Sequence, residues 1–372
     1  MPMIVKGGEP AIEASYALLD AQRRGDRSVP ELSVRQISEQ LGLGVDRVMC
    51  EGALYDRALA ALAIKQAQCD LAEAVFLIRA FRTTLRRFGV TQPLDTTHMQ
   101  VRRRVATTHK DPPGGQFLGP TCDYTHRLLD FALLEDDRDA PMMREADRRD
   151  EAVPAIPSAC GEVLESPLDG LRAEGLLEPA AEPAGAGEVA DLTREPLRFP
   201  AGRDLRLQAL ARGDEGFLLG LAYSALHRYG RVHPYIADLR VGEVEVRFLV
   251  LELGFEITIG EITVTECQTV NPTIDAAGDA HCLTRGYGLV FGQSERKALS
   301  VALLDRTLRA RELGEDVGAP AQDEDFVLSH ADSVASAGLI QHLKLPHYVD
   351  FEGQLQMLRR LRAGPRTAEA AE

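Results

Sequence analysis

Two histidines near the C-terminus, His342 and His347, are the residues whose type and spacing most directly suggest chemistry. They lie in the stretch Ala321 to Phe351, AQDEDFVLSHADSVASAGLIQHLKLPHYVDF, together with His330 and the carboxylates Asp323, Glu324, Asp325 and Asp332. Neutral imidazole is a common metal ligand, and a catalytic metal keeps one position open for water or substrate. On an unbroken helix, residues this far apart would point about 140° away from each other at 3.6 residues per turn. Pro346 forbids such a helix, because it lacks an N–H and drives Leu345 toward an extended conformation. The chain can then fold back and bring both rings to one point. H-x4-H does not match the ligand spacing of closed zinc sites, and two polar histidines on a surface turn satisfy the pattern equally. Asp332 is placed to cap a short helix beginning at Ser333.

A second candidate is HCLTRGYGLVFGQSERKALSVALLDRTLRARE. A short strand, Leu289 to Phe291, ends at Gly292, and a helix begins near Ser294. Free N–H groups and positive dipole gather at a helix start. Arg296 and Lys297 add charge there, and Arg285 precedes an expected turn, Gly286-Tyr287-Gly288. These groups suit a triphosphate or a phosphonate; an ordinary strand-to-helix turn with exposed basic residues explains them as well. G-x-G-x-x-x-G departs from the dinucleotide fingerprint and no βαβ unit surrounds it, which excludes a Rossmann site. The loop His109-Lys110-Asp111-Pro112-Pro113-Gly114-Gly115-Gln116, flanked by Arg102, Arg103 and Arg104, could cradle an anion. No Gly-Lys-Ser/Thr follows it, so it is not a Walker loop.

Composition narrows the classes. The formal net charge is −15, but residues 135–191 hold sixteen Asp or Glu against five Arg, so the acidity belongs mainly to one segment. No basic face for nucleic acid emerges. No apolar run reaches the length of a membrane span, and the N-terminus lacks the pattern of a signal peptide. The six cysteines are scattered without C-x-x-C pairs, as expected for reduced thiols in a cytoplasmic protein rather than for a disulfide framework.

The elements that must position these groups follow from periodicity. Residues 1–134 read as a mainly helical N-terminal region. AIEASYALLDAQRRGD, a helix capped by Ser33 with Gln36 completing a capping box, VDRVMCEGALYDRALAALAIKQAQ and CDLAEAVFLIRAFRTTLRRFG are its helical segments. Arg79, Arg82, Arg86 and Arg87 gather on one side of the last, as a solvated face or a surface for a partner or phosphate. Residues 135–192 read as an acidic variable insertion or linker, with one apolar patch, VLESPLDGLRAEGLL, of helical character. Residues 193–372 carry two helices split at Gly213, then EVEVRFLV and FEITIGEITVTE, whose period of two across Glu252-Leu253-Gly254 signals an antiparallel hairpin. The fold class is α+β, with a largely helical N-terminal region and a C-terminal antiparallel sheet with helices carrying the metal and nucleotide site.

Several long blocks carry a resemblance that spacing alone does not supply: VKGGEPAIEA, RRGDRSVPELSVRQI, FLIRAFRTTL, PPGGQFLGPTCDYTHRLLDF, RGDEGFLLGLAYS, TRGYGLVFGQSERKA, AQDEDFVLSHAD and HLKLPHYVDF. In this order, and over nearly the whole chain except about 140–190, they resemble the PhnI subunit family of the bacterial carbon–phosphorus lyase core complex. The resemblance implies phosphonate catabolism. The complex joins an alkylphosphonate such as methylphosphonate to the anomeric carbon of MgATP, releasing adenine and forming α-D-ribose 1-methylphosphonate 5-triphosphate. Alone, members of the family act as purine nucleosidases. The implied partners are the G, H and J subunits of a symmetric hetero-octamer and the ATPase subunits K and L. The family's zinc-binding histidines fall on His342 and His347.

Ribosyl transfer passes through oxocarbenium-like charge, which carboxylates stabilise, and the leaving base needs a proton. Asp323, Glu324 and His330 are the candidates for those tasks, and Arg285, Arg296 and Lys297 for holding the triphosphate. The carboxylates could equally be a helix-capping cluster. A different class stays open, in which the chain is an assembly platform whose active site is completed by partner subunits. A stand-alone metallohydrolase is disfavoured, since no H-E-x-x-H or comparable ligand set is present.

Overall fold

The computed structural model describes residues 8–134, 165–179, 190–229, 233–272 and 282–364. Among them are twelve helices and one four-stranded antiparallel sheet, an α+β architecture as expected.

Capping sets the N-terminal helices. After α1 (Glu9–Arg24), which buries no side chain, Ser33 opens α2 (Val34–Gln40). Its hydroxyl accepts from the Gln36 N–H at 3.1 Å, and the Gln36 side chain accepts from the Ser33 N–H at 2.8 Å, the expected reciprocal capping box. The long segment that follows is two helices rather than one: α3 (Gly42–Gly52) stops where Ala53 turns left-handed at φ 52°, and Asp56 caps α4 (Arg57–Gln66). Asp70 caps α5 (Leu71–Thr84). Val45, Val48, Met49, Ala60, Ile64, Val75 and Ile78 form their shared core. Small residues let these helices approach closely: a Cβ at Gly52 would lie 2.5 Å from the Ile78 side chain.

The sheet runs β1 (Gln100–Val105), β2 (Tyr235–Val250), β3 (Phe255–Pro272), β4 (Leu283–Phe291) in spatial order. The expected hairpin is β2–β3, with Val244 opposite Ile262. β1 comes from the N-terminal region, so the C-terminal sheet draws a strand from residues 1–134. Its sequence, VRRRV, looks like the basic flank of a loop. In the fold Arg103 and Arg104 are buried and spent internally: Arg104 binds both Asp238 oxygens and the Pro113 and Glu165 carbonyls. Arg103 binds Glu295, Asp123 and the Leu118 carbonyl. The loop after β1 is therefore fastened by its arginines, which are not free to cradle an anion.

Short α6 (Pro167–Ala173) is the helix expected within the acidic segment. Leu168 and Leu177 pack with Ala237 and Val270, so this part is docked rather than loose; residues 135–164 and 180–189 of the proposed insertion lie outside the described residues. Helices α7 (Arg203–Arg212) and α8 (Glu215–Ser224) are split at Gly213 as expected. They enclose, with α9 (Glu295–Leu308), the main core of Leu210, Leu218, Val301, Ala302 and Leu304. Gly286 and Gly288 are strand residues, not a turn. A Cβ on them would lie 2.1 Å from the Ala302 carbonyl oxygen and 2.2 Å from that of Ala298, both on α9. Their absent side chains let α9 lie directly on β4.

Candidate functional site

The C-terminal tail is built from three helices: α10 (Glu324–His330), α11 (Ser333–His342) and α12 (Tyr348–Ala363). Asp332 caps α11, accepting from the Val334 and Ala335 N–H groups. The same carboxylate takes both short contacts from Arg79 Nη1, at 2.6 and 2.7 Å, which ties the start of α11 to α5. Burial pushes the Asp332 carboxyl up, but Arg79 and the cap bonds outweigh it, and its pKa falls below the ordinary value. Arg79 also donates to the Glu51 carbonyl, and Arg87 pairs with Asp191. Of the four arginines, Arg79 and Arg87 are thus tied to other parts of the fold, while Arg86 is exposed as on a solvated face. Arg212 beside this cluster is pushed down to about 10 by burial and by Arg79 and Arg82.

Between α11 and α12 the chain folds back at Pro346, and the two rings meet. His342 Nε2 and His347 Nε2 are 3.1 Å apart, with ring centroids separated by 4.7 Å and planes at 86°. His347 Nδ1 lies 2.6 Å from the Leu345 carbonyl oxygen. A carbonyl only accepts, so Nδ1 carries a proton, and in the neutral ring Nε2 presents its lone pair. Fixing the tautomer through a backbone carbonyl is how protein ligands to metals are commonly oriented. Two nitrogens bound tetrahedrally at about 2.0–2.1 Å would be roughly 3.3 Å apart, so the observed separation fits a bridging zinc ion. A proton on His342 Nε2 spans the same gap. Among the described residues no group of three His, Cys, Asp or Glu side chains forms a complete ligand set. The chain offers two imidazoles of such a set.

The other candidates do not converge on this pair as one constellation. Asp323 is the N-cap of α10, accepting from the Phe326 N–H at 3.1 Å, and Glu324 accepts from the Ala201 N–H at 2.5 Å. His330 closes the same helix, with Nδ1 2.7 Å from the Phe326 carbonyl oxygen. The carboxylates and His330 thus sit at opposite ends of a helix about 10 Å long. His330 is exposed, and its second ring nitrogen meets no described partner.

The basic trio separates similarly. Lys297 is fully buried, its ammonium 3.4 Å from Glu51, itself 1% exposed. Arg296 is mostly exposed and pairs with Glu215. Arg285 lies on β4, and the extended strand from there to Phe291 puts it about 20 Å from the start of α9. Helical and strand geometry, not sequence distance, decides which of these groups can share a ligand.

Sequence reasoning missed the group around Arg285. A cavity of about 160 Å3 at the free edge of β4 is lined by Arg203, Leu207, Gln268, Arg285, Gly286 and Tyr287. The edge amides are covered by carboxylates: Glu178 accepts from the Arg285 N–H and Asp305 from the Tyr287 N–H. The available signal was Arg285 and Tyr287 on one face of a strand, hidden when Gly286 and Gly288 were read as a turn.

The comparisons with known proteins decide the lineage. The family described as "Bacterial phosphonate metabolism protein (PhnI)" matches residues 1–365. The chain belongs to the PhnI family. It is similar to a protein of Rhizobium meliloti (strain 1021) named "Alpha-D-ribose 1-methylphosphonate 5-triphosphate synthase subunit PhnI", 54% identical over 371 residues that cover 100% of this chain and 97% of the relative. A protein of the same name from Escherichia coli (strain K12) is 52% identical over 361 residues, covering 97% of this chain and 98% of the relative. The resemblance read from sequence blocks is borne out across the full length.

Proposed function

We propose that this chain is the PhnI subunit of an α-D-ribose 1-methylphosphonate 5-triphosphate synthase acting in phosphonate catabolism. The observation that carries the reading is identity above one half, over nearly the whole length, to two proteins named as that subunit. The product name itself defines the chemistry. A ribose 5-triphosphate bearing a phosphonate at C1 is what ATP becomes when a phosphonate oxygen replaces adenine at C1′. The O–C1′ bond forms, the C1′–N9 bond breaks, and the departing base takes a proton. ATP enters as its magnesium complex.

The chain's own residues supply parts of that task. His342 and His347 present converging Nε2 atoms that suit zinc. When bound there, zinc supplies a Lewis-acid charge for orienting phosphonate or phosphate oxygens. His330 is the best placed of the acid–base candidates, because Asp323 and Glu324 already hold backbone N–H groups. Arg285 stands at an open cavity and can neutralise substrate oxygens, whereas Lys297 stays with Glu51. Partner subunits complete the site. Helices α11 and α12 bury no side chain, and Leu339, Ile340, Leu343, Tyr348, Val349 and Phe351 are all more than 60% exposed around the histidines. Apolar surface of that extent supports docking against other chains; the proposed ones are the G, H and J subunits, with ATPase subunits K and L. The proposed compartment is the cytoplasm, where ATP and reduced thiols are kept. No helix among the described residues is long and apolar enough to cross a membrane.

The same exposed surface favours a second reading, in which the chain is an assembly platform and partners hold the catalytic groups. One reaction separates the two. The assembled complex is given MgATP and methylphosphonate, and 31P NMR follows the phosphonate while chromatography follows adenine. Equal amounts of adenine and a new phosphonate ester are expected, and both should fall at least tenfold in a complex carrying His330→Gln with His342→Ala and His347→Ala. Full turnover by that complex would leave only the platform.

A further inference from the structure

We infer that the cavity at the free edge of the sheet, between β4 and α7, binds a compact phosphorus oxyanion: the phosphonate substrate or a terminal phosphate of the nucleotide. The inference rests on the function proposed above for its choice of ligand, but its geometry stands alone. At about 160 Å3 the cavity is well below the ~300–1,000 Å3 of pockets that enclose whole small-molecule ligands. It has room for a tetrahedral headgroup.

Its chemistry is set by how the surrounding charges are spent. Asp305 is fully engaged, accepting from Arg203 Nε at 3.0 Å, Arg203 Nη2 at 2.7 Å and the Tyr287 N–H at 3.0 Å. Glu178 is likewise engaged, accepting from Arg309 Nη1 at 3.0 Å, Arg309 Nη2 at 2.7 Å and the Arg285 N–H at 2.7 Å. Arg172, farther out, pairs with Asp169. Glu312 lies 3.4 Å from Arg309 Nε, and Glu266 accepts from the Tyr287 hydroxyl at 3.0 Å. Among Arg203, Arg285 and Arg309, Arg285 is the one whose guanidinium makes no hydrogen bond to a described carboxylate.

Among the described residues, Arg285 Nε is left without a hydrogen bond. The Arg285 guanidinium donates no hydrogen bond to any described residue, and its buried Nε has only a loose ion pair, 3.7 Å from Glu178 Oε1. Burial, and then the cations Arg172, Arg203 and Arg309, outweigh Glu178 and lower its pKa. A buried donor left without a hydrogen bond carries a desolvation penalty, larger when the group is charged. An oxyanion in the cavity removes that cost. Arg203 commits Nε and Nη2 to Asp305 and keeps Nη1, and Gln268 adds an amide opposite Tyr287 across β3 and β4. Planar guanidinium donors converging with an amide match the oxygens of a phosphate or phosphonate better than a carboxylate-poor lysine site would.

The test uses the full-length protein and two probes, methylphosphonate and inorganic tripolyphosphate, titrated by calorimetry into the wild type, Arg285→Gln and Arg285→Lys. Arg285 is chosen because removing Arg203 would strand the buried Asp305. Saturable binding with one ion per chain is expected, weakened tenfold or more by Arg285→Gln and partly retained by Arg285→Lys, with the thermal midpoints of both variants close to wild type. Binding of methylphosphonate assigns the cavity to the acceptor substrate; binding of tripolyphosphate alone assigns it to the nucleotide tail. If neither ion binds the folded wild type, or if Arg285→Gln binds as tightly as wild type, the site is refuted. Anion binding by the chain, with no adenine released from ATP by the assembled complex, would refute the proposed function and leave the site standing.

Discussion

At the scale of single residues, the account turns on which lone pairs and donors are already in use. His347 has its tautomer fixed by the Leu345 carbonyl, so its free nitrogen faces His342. His342 is exposed and His347 half-buried, and neither is part of a core, so replacing either should leave stability within about 0.5 kcal/mol, as for other surface positions. Metal analysis after zinc loading and gel filtration is expected to find bound zinc in the wild type and a more than tenfold loss of affinity in His347→Ala, with unchanged thermal unfolding. Equal zinc retention by the variant would remove the imidazoles from the metal's coordination. Pro346 made this meeting legible in the sequence, because proline both breaks the helix and dictates a local fold-back. The caps at Ser33 and Asp332 were legible for a similar reason, since capping is a local interaction. What was not legible was long-range. Nothing near Lys297 in sequence announces Glu51, and nothing near Arg79 announces Asp332.

At the scale of elements, the sheet and its helix depend on glycines that sequence patterns misread. A strand glycine demanded by a helix lying close above it looks identical, in sequence, to a turn glycine. The distinction shows only when α9 is seen to rest on β4. Gly288→Ala would put a methyl group 2.2 Å from the Ala298 carbonyl oxygen, and overpacking of that kind costs about 1–3 kcal/mol, occasionally more. Gly220→Ala in α8 meets open space and should gain roughly 0.5–1 kcal/mol from its helix-interior position. Urea denaturation of the two variants checks this pair of signs; a Gly288→Ala midpoint at or above wild type would overturn the packing argument. Strand β1 escaped notice for a related reason. Three consecutive arginines do not read as a strand interior, yet two of them are buried because Asp238, Asp123 and Glu295 receive them. The β2–β3 hairpin, by contrast, announced itself through uninterrupted alternation.

At the scale of the whole molecule, the N-terminal helices and the sheet region are joined by polar contacts from α3 and the connection that follows it. Tyr55 accepts from the Thr263 N–H at 2.8 Å, Asp46 from the Gln293 N–H at 2.9 Å, and Glu51 meets Lys297. Around this joined body, α1, α11 and α12 bury nothing. A chain that invests core-like residues in such helices is shaped for assembly, which agrees with relatives named as subunits. The histidine pair sits within one of these exposed regions, where a partner surface can supply further ligands. The decisive measurement is the rate at which the purified chain, with MgATP and zinc, releases free adenine, compared with His342→Ala/His347→Ala under the same conditions. The account predicts steady release by the wild type and at least a hundredfold slower release by the double variant, about 2.7 kcal/mol of lost transition-state stabilisation. Equal rates from the two proteins would contradict it.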